Sequence, residues 1–338
     1  MPRRWLACYA AALSSVRSTS SSSPATITYA IPFYTGLAFL ERTLQSVLAQ
    51  DDPSWSCVVC DEGKEPGVEE LVRSLGDARV RYVRNQPALG MAGNFNKCVD
   101  VAETELVTVL HADDELGERY GSTMRAAAAR HPQAAALFCR AQIIGPRSEP
   151  RFSMADRVKD RINPTSSQEL VLAGESGVRA LLRANFIVAP TLCFRKRVVG
   201  DRRFPAPYRF VLDWELTMQL LLDGEHLVGL PDRCYRYRRH EDNATERLTR
   251  TQERFREEIG FYERVLPVVR ERGWERCVQI ARQRRVLKLN VAFRALKNLV
   301  MLAYYQAVAP WFVPHAANRP ATRKRWPEGV GTESKPLE

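Results

Sequence analysis

Between Ile27 and Ile144 the chain alternates short apolar runs with segments that carry their apolar residues at helical spacing. Ile27–Phe33, Trp55–Cys60, Arg79–Val83, Leu106–Leu110 and Ala134–Ile144 read as strands, built from apolar and β-branched residues. Leu37–Gln50, Val68–Leu75, Met91–Ala102 and Glu115–Arg130 read as helices, the first through Leu40, Leu44, Val47 and Leu48. Strand–helix alternation of this kind predicts an α/β chain with a mostly parallel sheet flanked by helices on both faces. With 338 residues, 45% of them hydrophobic, the chain can bury one large core of this type.

The remainder is less regular. Residues 145–170 are rich in Arg, Pro and Ser and read as a loop. A helix is expected over Gly174–Ala184, a strand over Thr191–Arg195, a helix over Val211–Leu222 and two short strands near His226–Leu230 and Cys234–Arg238. From Thr245 almost to Ala309 the pattern is helical. The first 25 residues, rich in Arg, Ala and Ser, read as a disordered extension rather than a cleaved signal. The expected division is therefore 1–25 as extension, 26–245 as the main domain (26–145 and 146–245 as its halves), 246–315 as a helical region and 316–338 as a disordered tail.

Charge and cysteines narrow the function classes. The net charge is +11, and residues 271–338 hold 13 Lys/Arg against 5 Asp/Glu. No helix-turn-helix, zinc finger or aromatic RNA-binding stripe accompanies this excess, so no nucleic-acid partner is expected. Cys57 and Cys60 are the only close pair among eight cysteines. On a strand they point to opposite faces and cannot pinch one metal, so they read as reduced core residues of a cytosolic protein.

Polar clusters end the first four strands: Phe33-Tyr34-Thr35, Asp61-Glu62-Gly63, Arg84-Asn85 and His111-Ala112-Asp113-Asp114. In a parallel sheet these carboxyl ends share one edge, where ligands bind. Asp113 and Asp114 offer hard oxygen ligands suited to Mg²⁺ or Mn²⁺, and such a metal would clamp a diphosphate. The competing reading makes Asp114, followed by Glu115, the cap of the next helix.

Five motifs in order resemble the glycosyltransferase family 2 domain. Ile31-Pro32-Phe33-Tyr34-Thr35 resembles its opening Pro-x-Tyr-Asn, and Leu44-Gln45-Ser46-Val47-Leu48-Ala49-Gln50 its first helix. Val58-Val59-Cys60-Asp61-Glu62-Gly63 resembles the strand ending Asp-Asp-Gly. Asn85, Gly90, Asn94 and Asn96 resemble the Asn-x-Gly-x-x-x-Asn stretch, and His111 to Leu116 the metal-binding Asp-x-Asp region. Further on, Asp213-Trp214-Glu215-Leu216 resembles the segment supplying the catalytic base, and Tyr237 to Thr245 the closing Arg-x-His segment.

The resemblance implies a GT-A type, Rossmann-like fold with a C-terminal helical extension. It implies that Pro32, Tyr34 and Asp61 hold the nucleotide, with Glu62 and Asn85 as further contacts. Asp113 and Asp114 would meet the metal and donor sugar, His240 the metal and diphosphate, and Arg238 the diphosphate. Asp213 would be the general base, with Glu215 as fallback. The sequence departs from the family pattern at Thr35, Glu62 and His111, the last read as a packed histidine.

The implied activity is inverting transfer of a sugar from a nucleotide-diphosphate sugar, a UDP-sugar by family frequency, to a hydroxyl on a glycan or lipid-linked acceptor in bacterial surface glycan or polysaccharide synthesis. Metal on one side and a single carboxylate on the other suit one displacement. The rival within enzymes, a nucleotidyltransferase, would need a Gly-rich basic loop where Tyr34-Thr35-Gly36-Leu37 stands. A catalytically silent nucleotide-sugar-binding scaffold is the other alternative. Finally, 286–313 combines Arg285, Lys288 and Lys297 with Leu289, Phe293, Leu296 and Val300 at helical spacing, the pattern of a helix lying in a membrane interface. The protein is thus expected in the cytoplasm, peripheral on the inner face of the cell membrane.

Overall fold

The computed structural model describes residues 26–151, 163–165, 167–206, 208–240 and 248–312. The expected N-terminal extension, the C-terminal tail, the middle of the 145–170 loop and the end of the closing motif, Glu241 to Thr245, lie outside the described residues.

An eight-stranded sheet forms the centre. Its strands are β1 (Ile27–Phe33), β2 (Trp55–Asp61), β3 (Val80–Arg84), β4 (Leu106–Val109), β6 (Ala134–Phe138), β8 (Leu170–Leu172), β9 (Cys193–Arg195) and β10 (His226–Gly229), in the order β3-β2-β1-β4-β9-β6-β10-β8. β1 pairs in parallel with β2 and β4, and β2 with β3. Only β9 and β8 run antiparallel to their neighbours. Neighbouring residues of the central strands alternate between two apolar clusters. Ala30, Val58, Val107 and Val109 face one cluster, and Tyr29, Ile31, Cys57 and Val59 face the other. A strand buried on both faces needs an unbroken apolar run, which is the pattern the sequence carries.

Helices α1 (Leu37–Leu48), α2 (Val68–Ser74), α3 (Gly90–Val101) and α4 (Tyr120–Arg130) fall where periodicity places them. Two segments differ from expectation. Glu115 and Leu116, expected in a helix, form the short strand β5 and pair with Arg236 and Tyr235 of β11 (Tyr235–Arg238). The expected strand over Ala134–Ile144 divides into β6 and β7 (Ala141–Ile144), because the chain leaves the large sheet after Phe138 and β7 pairs with β11 in a second sheet of order β5-β11-β7.

The second half adds α5 (Gly174–Arg183), the one-turn α6 (Lys196–Val199) and α7 (Leu212–Leu222). α7 is a core helix, with Trp214, Leu216, Met218, Leu220 and Leu221 all buried. The long helical run is broken at Gly273, which takes φ +69°, and at Arg284, giving α8 (Glu253–Glu271), α9 (Glu275–Gln283) and α10 (Arg285–Phe312). Phe261, Tyr262, Val265, Val269, Cys277 and Val278 of α8 and α9 belong to the main core, and the compact unit reaches Lys288. This extends the body of the domain well past residue 245.

From Leu289 on the chain forms a second unit, the body of α10. Leu289, Val291, Phe293, Leu296, Leu299 and Val300 are all exposed there. Among the described residues no helix is long and apolar enough to cross a membrane. The seven described cysteines are free and buried, in line with their reading as core residues.

Candidate active site

The parallel register brings Phe33, Asp61 and Arg84 side by side at the carboxyl ends of β1, β2 and β3. Asp61 is almost fully buried. Its Oδ1 accepts the Gly63 N–H at 2.8 Å, and its Oδ2 accepts the Tyr82 hydroxyl at 2.8 Å and Arg84 Nη1 at 2.6 Å. The carboxylate therefore aims the Arg84 guanidinium, which stays partly exposed, along the site edge. Tyr34 lies at the mouth with 65% of its surface exposed, and Pro32 sits behind it in β1, paired with Cys60. Gly63 must be glycine, since a Cβ there would come within 2.0 Å of the Tyr34 carbonyl oxygen.

Glu62 and Asn85 are framework contacts at this edge. Glu62 accepts the Leu89 N–H at 2.9 Å, holding the loop before α3. Asn85 donates to Asn94 Oδ1 at 2.9 Å, and Asn94 in turn donates to the Cys60 carbonyl at 3.1 Å, so the two amides tie α3 to the strand ends. A residue not singled out from the sequence does comparable work. Glu65 accepts the backbone N–H groups of Gly36 and Leu37 at 2.6 and 3.2 Å, filling the amino end of α1 with a carboxylate.

The acidic cluster after β4 divides its labour. Asp113 is partly exposed and its Oδ2 lies 3.0 Å from His240 Nε2. Burial raises its pKa, but the His240 hydrogen bond and the nearby imidazole charge outweigh that, so its carboxyl stays below the usual range. Asp114 is fully buried. Its Oδ1 accepts the Arg238 N–H at 2.8 Å and its Oδ2 the Tyr235 hydroxyl at 3.0 Å. Burial, together with the Asp113 charge, pushes its pKa well up. The ring of His240 rests on Phe39 at 4.8 Å and that of His111 on Phe95 at 5.5 Å.

His111, Asp113 and Asp114 each offer one ligand atom, all within 4.8 Å of one another. The donor set, carboxylate oxygen with imidazole nitrogen, fits a divalent cation of the Mn²⁺ or Mg²⁺ type. His111 and Asp113 are its partly exposed members, and His240 adjoins Asp113. Asp114 spends both oxygens on β11 and acts from beneath.

Arg238, expected at the diphosphate, lies out of contact with solvent. Its side chain is fully buried, with Nε donating to the Asp113 carbonyl at 2.7 Å, Nη1 to the Gly145 and Pro146 carbonyls at 2.9 and 3.1 Å, and Nη2 to Glu115. It holds the loop that carries Asp113 from behind.

Asp213 opens α7. Burial raises its pKa to about 6, against smaller opposing effects from its own and Trp214's backbone N–H groups and from Asn185, whose Nδ2 lies 3.4 Å from Asp213 Oδ2. The amino end of α7 is held by Glu257 of α8, which accepts the N–H groups of Arg209, Phe210 and Val211 at 2.7–3.2 Å. Trp214 stacks on Phe261 at 4.0 Å between ring centres. Glu215 turns the other way and pairs with Arg264, so of the two acids only Asp213 has its carboxylate uncommitted to a cation. Asn96 joins the segment before α7 to this edge through paired bonds with the Phe204 backbone at 2.8 and 2.9 Å, and Phe204 touches Phe95, the neighbour of His111.

The model of the glycosyl transferase family 2 matches residues 28–197, half the chain and all of the strand-end clusters. The chain belongs to glycosyltransferase family 2. It is 35% identical over 103 residues to the uncharacterized protein MT1568 of Mycobacterium tuberculosis, covering 30% of this chain and 32% of that one. To the GalNAc(5)-diNAcBac-PP-undecaprenol beta-1,3-glucosyltransferase of Campylobacter jejuni it is 33% identical over 89 residues, 25% of this chain and 29% of that one. The chain thus spans about a third of the length of the curated relatives it matches. Among solved structures, S. aureus TarS 1-349 in complex with UDP superposes with a TM-score of 0.52 at 17% identity over 72% of this chain and 64% of that chain, a likeness of fold. A second model, the LigD primase-polymerase domain, matches only residues 298–335, none of them among the strand-end clusters.

In this family 2 domain, Arg238→Ala keeps the backbone N–H that Asp114 accepts but leaves Glu115 without its buried guanidinium partner, and is expected to cost about 3–5 kcal/mol, the usual penalty for breaking a buried ion pair from one side. Urea unfolding measures it. A residue whose only task were to touch a diphosphate would leave the midpoint unchanged.

Proposed function

We propose that this glycosyltransferase transfers a sugar from a nucleotide-diphosphate sugar to an acceptor hydroxyl with inversion at the anomeric carbon. The observation that carries this reading is the Asp113–His240 pair, 3.0 Å apart, beside the Asp61–Arg84 pair on the same edge of a parallel sheet. One pair suits a diphosphate with its metal, and the other suits the nucleoside.

A Mn²⁺ or Mg²⁺ ion held by Asp113 and His240 would neutralise the charge building on the departing diphosphate. Tyr34 offers an exposed ring on which a base can stack, and Arg84 offers N–H donors that suit the position-4 carbonyl oxygen of uracil, where cytosine carries an amino group. This favours UDP as the nucleotide, and the fold likeness to the UDP complex of TarS supports it. Asp213 accepts the acceptor's proton as its oxygen attacks. A base with a pKa near 6 is ionised at neutral pH yet basic enough to take that proton.

A silent scaffold is disfavoured by the same residue. A raised carboxyl pKa means that the charged form destabilises the fold, and a chain without chemistry to perform gains nothing from keeping it. The acceptor is a hydroxyl of a glycan or lipid-linked saccharide of the bacterial surface. The Campylobacter relative, whose name gives an undecaprenol-linked substrate, supports a lipid-linked one. For such an acceptor, α10 supplies the contact with the cytoplasmic face of the membrane. Leu289, Phe293, Leu296 and Leu299 are exposed, and Lys288, Arg294 and Lys297 stand among them with no acid between Arg285 and Phe312.

Asp213→Asn is expected to abolish UDP release from a panel of UDP-sugars with Mn²⁺ and acceptor lipid, and to raise the melting temperature at pH 7.5. The sign follows from the raised pKa. Protons bind the folded state more tightly, so wild-type stability falls as pH rises from about 4 to 6, and the gain of the variant should vanish toward pH 4. Turnover by the wild type should fall off below about pH 6. Unchanged turnover in the variant would contradict the assignment of the base. Flotation with vesicles tests the membrane contact. The protein should float with phosphatidylglycerol vesicles and lose that in Leu289→Glu/Phe293→Glu, whereas flotation that survives the double substitution would place the contact elsewhere.

A further inference from the structure

We propose that Asn185 is a positioning residue for the reaction, holding the Asp213 carboxylate in the orientation and charge state in which it takes the acceptor's proton. The inference rests on the reading of Asp213 as the base.

Asn185 follows α5 by one residue and stands between that helix and the segment leading into β9. Its backbone is anchored nearby, because the Tyr262 hydroxyl donates to the Leu182 carbonyl at 3.0 Å and Ile187 is buried. The side-chain amide is oriented by a second bond: the Ile187 N–H donates to Asn185 Oδ1 at 3.3 Å. Turning the amide over would set two N–H groups against each other, so Oδ1 faces Ile187 and Nδ2 faces Asp213, 3.4 Å from Oδ2. On the other side, the Thr217 hydroxyl donates to the Asp213 carbonyl at 2.7 Å and fixes the base's own backbone. An N–H aimed at a carboxylate favours its charged form and restrains its rotation, and both matter for a base that must meet a hydroxyl at a set angle.

Among the described residues, the other groups that act on this carboxylate are the backbone N–H groups of Asp213 and Trp214. Glu215, two residues along, is engaged by Arg264. Asn185 is therefore the side chain through which a neighbouring element tunes the base. A lone Asn in a loop carries no local signal of such a role, and only the approach of α5 to α7 reveals it.

The test compares wild type, Asn185→Ala, Asn185→Asp and Asp213→Asn in UDP release across pH 5 to 9. Asn185→Ala should move the acidic limb of kcat upward by about half a unit to one unit with the KM for the donor unchanged, a loss of about two- to fivefold at pH 6 that shrinks to less than about twofold at pH 7 and vanishes by pH 8.5. Asn185→Asp keeps the shape and the Ile187 contact but sets a like charge opposite Asp213, so its limb should move further. A packing role alone would lower the rate equally at every pH. Wild-type limbs in both Asn185 variants, with Asp213→Asn inactive, would overturn the positioning role and leave the base assignment standing. Turnover in Asp213→Asn would overturn both.

Discussion

A guanidinium taken fully out of water, that of Arg238, joins the parts of this protein that must stay in register. It reaches the carbonyl of Asp113, the carboxylate of Glu115 and the carbonyls of Gly145 and Pro146, while its own N–H is held by Asp114. These partners come from the loop after β4, from β5 and from the turn after β7. Removing a charge from water costs several kcal/mol unless its donors are matched, and here they are matched by a dense set of acceptors. The consequence is geometric. With Asp114 and Arg238 tied beneath it, Asp113 is left facing outward beside His240, and the small three-stranded sheet becomes the floor of the site.

The two halves of the domain meet that floor differently. The first half is built from parallel strand ends, so its polar residues converge without special devices beyond Gly63, Glu65 and the Asn85–Asn94 pair. The second half depends on packing. Asp213 is placed because α7 is buried on nearly every side, because Trp214 stacks on Phe261, and because Glu257 reaches across from α8 to cap the helix. The same burial that fixes α7 raises the pKa of Asp213. Position and proton affinity thus share one cause, and helices beyond residue 245 are part of the machinery although they carry none of the chemistry.

This explains which features were legible in the sequence. A polar residue that ends an apolar run is visible without any knowledge of its partners, so Asp61, Glu62, Asn85, Asp113 and Asp114 stood out, as did the strands that carry them. The role of Arg238 was not legible. The family resemblance implied a diphosphate contact for it, and the acids that surround it lie more than 120 residues away in sequence. Glu65, Glu257 and Asn185 were silent for the same reason, since each acts on backbone or side chains of another element. The helix expected over Glu115–Arg130 lost its first turn to β5 because pairing with β11 competes with local propensity and wins where Leu116 and Tyr235 can be buried together.

We propose Asp113 and His240 as the metal-bearing half of a nucleotide-diphosphate site. Isothermal titration of UDP into the protein, with and without Mn²⁺, tests it most directly. The account predicts binding that Mn²⁺ tightens at least tenfold, about 1.4 kcal/mol, with that gain lost in Asp113→Ala and retained in Asp213→Asn. UDP affinity that is indifferent to the metal, or a metal effect that survives Asp113→Ala, would contradict it.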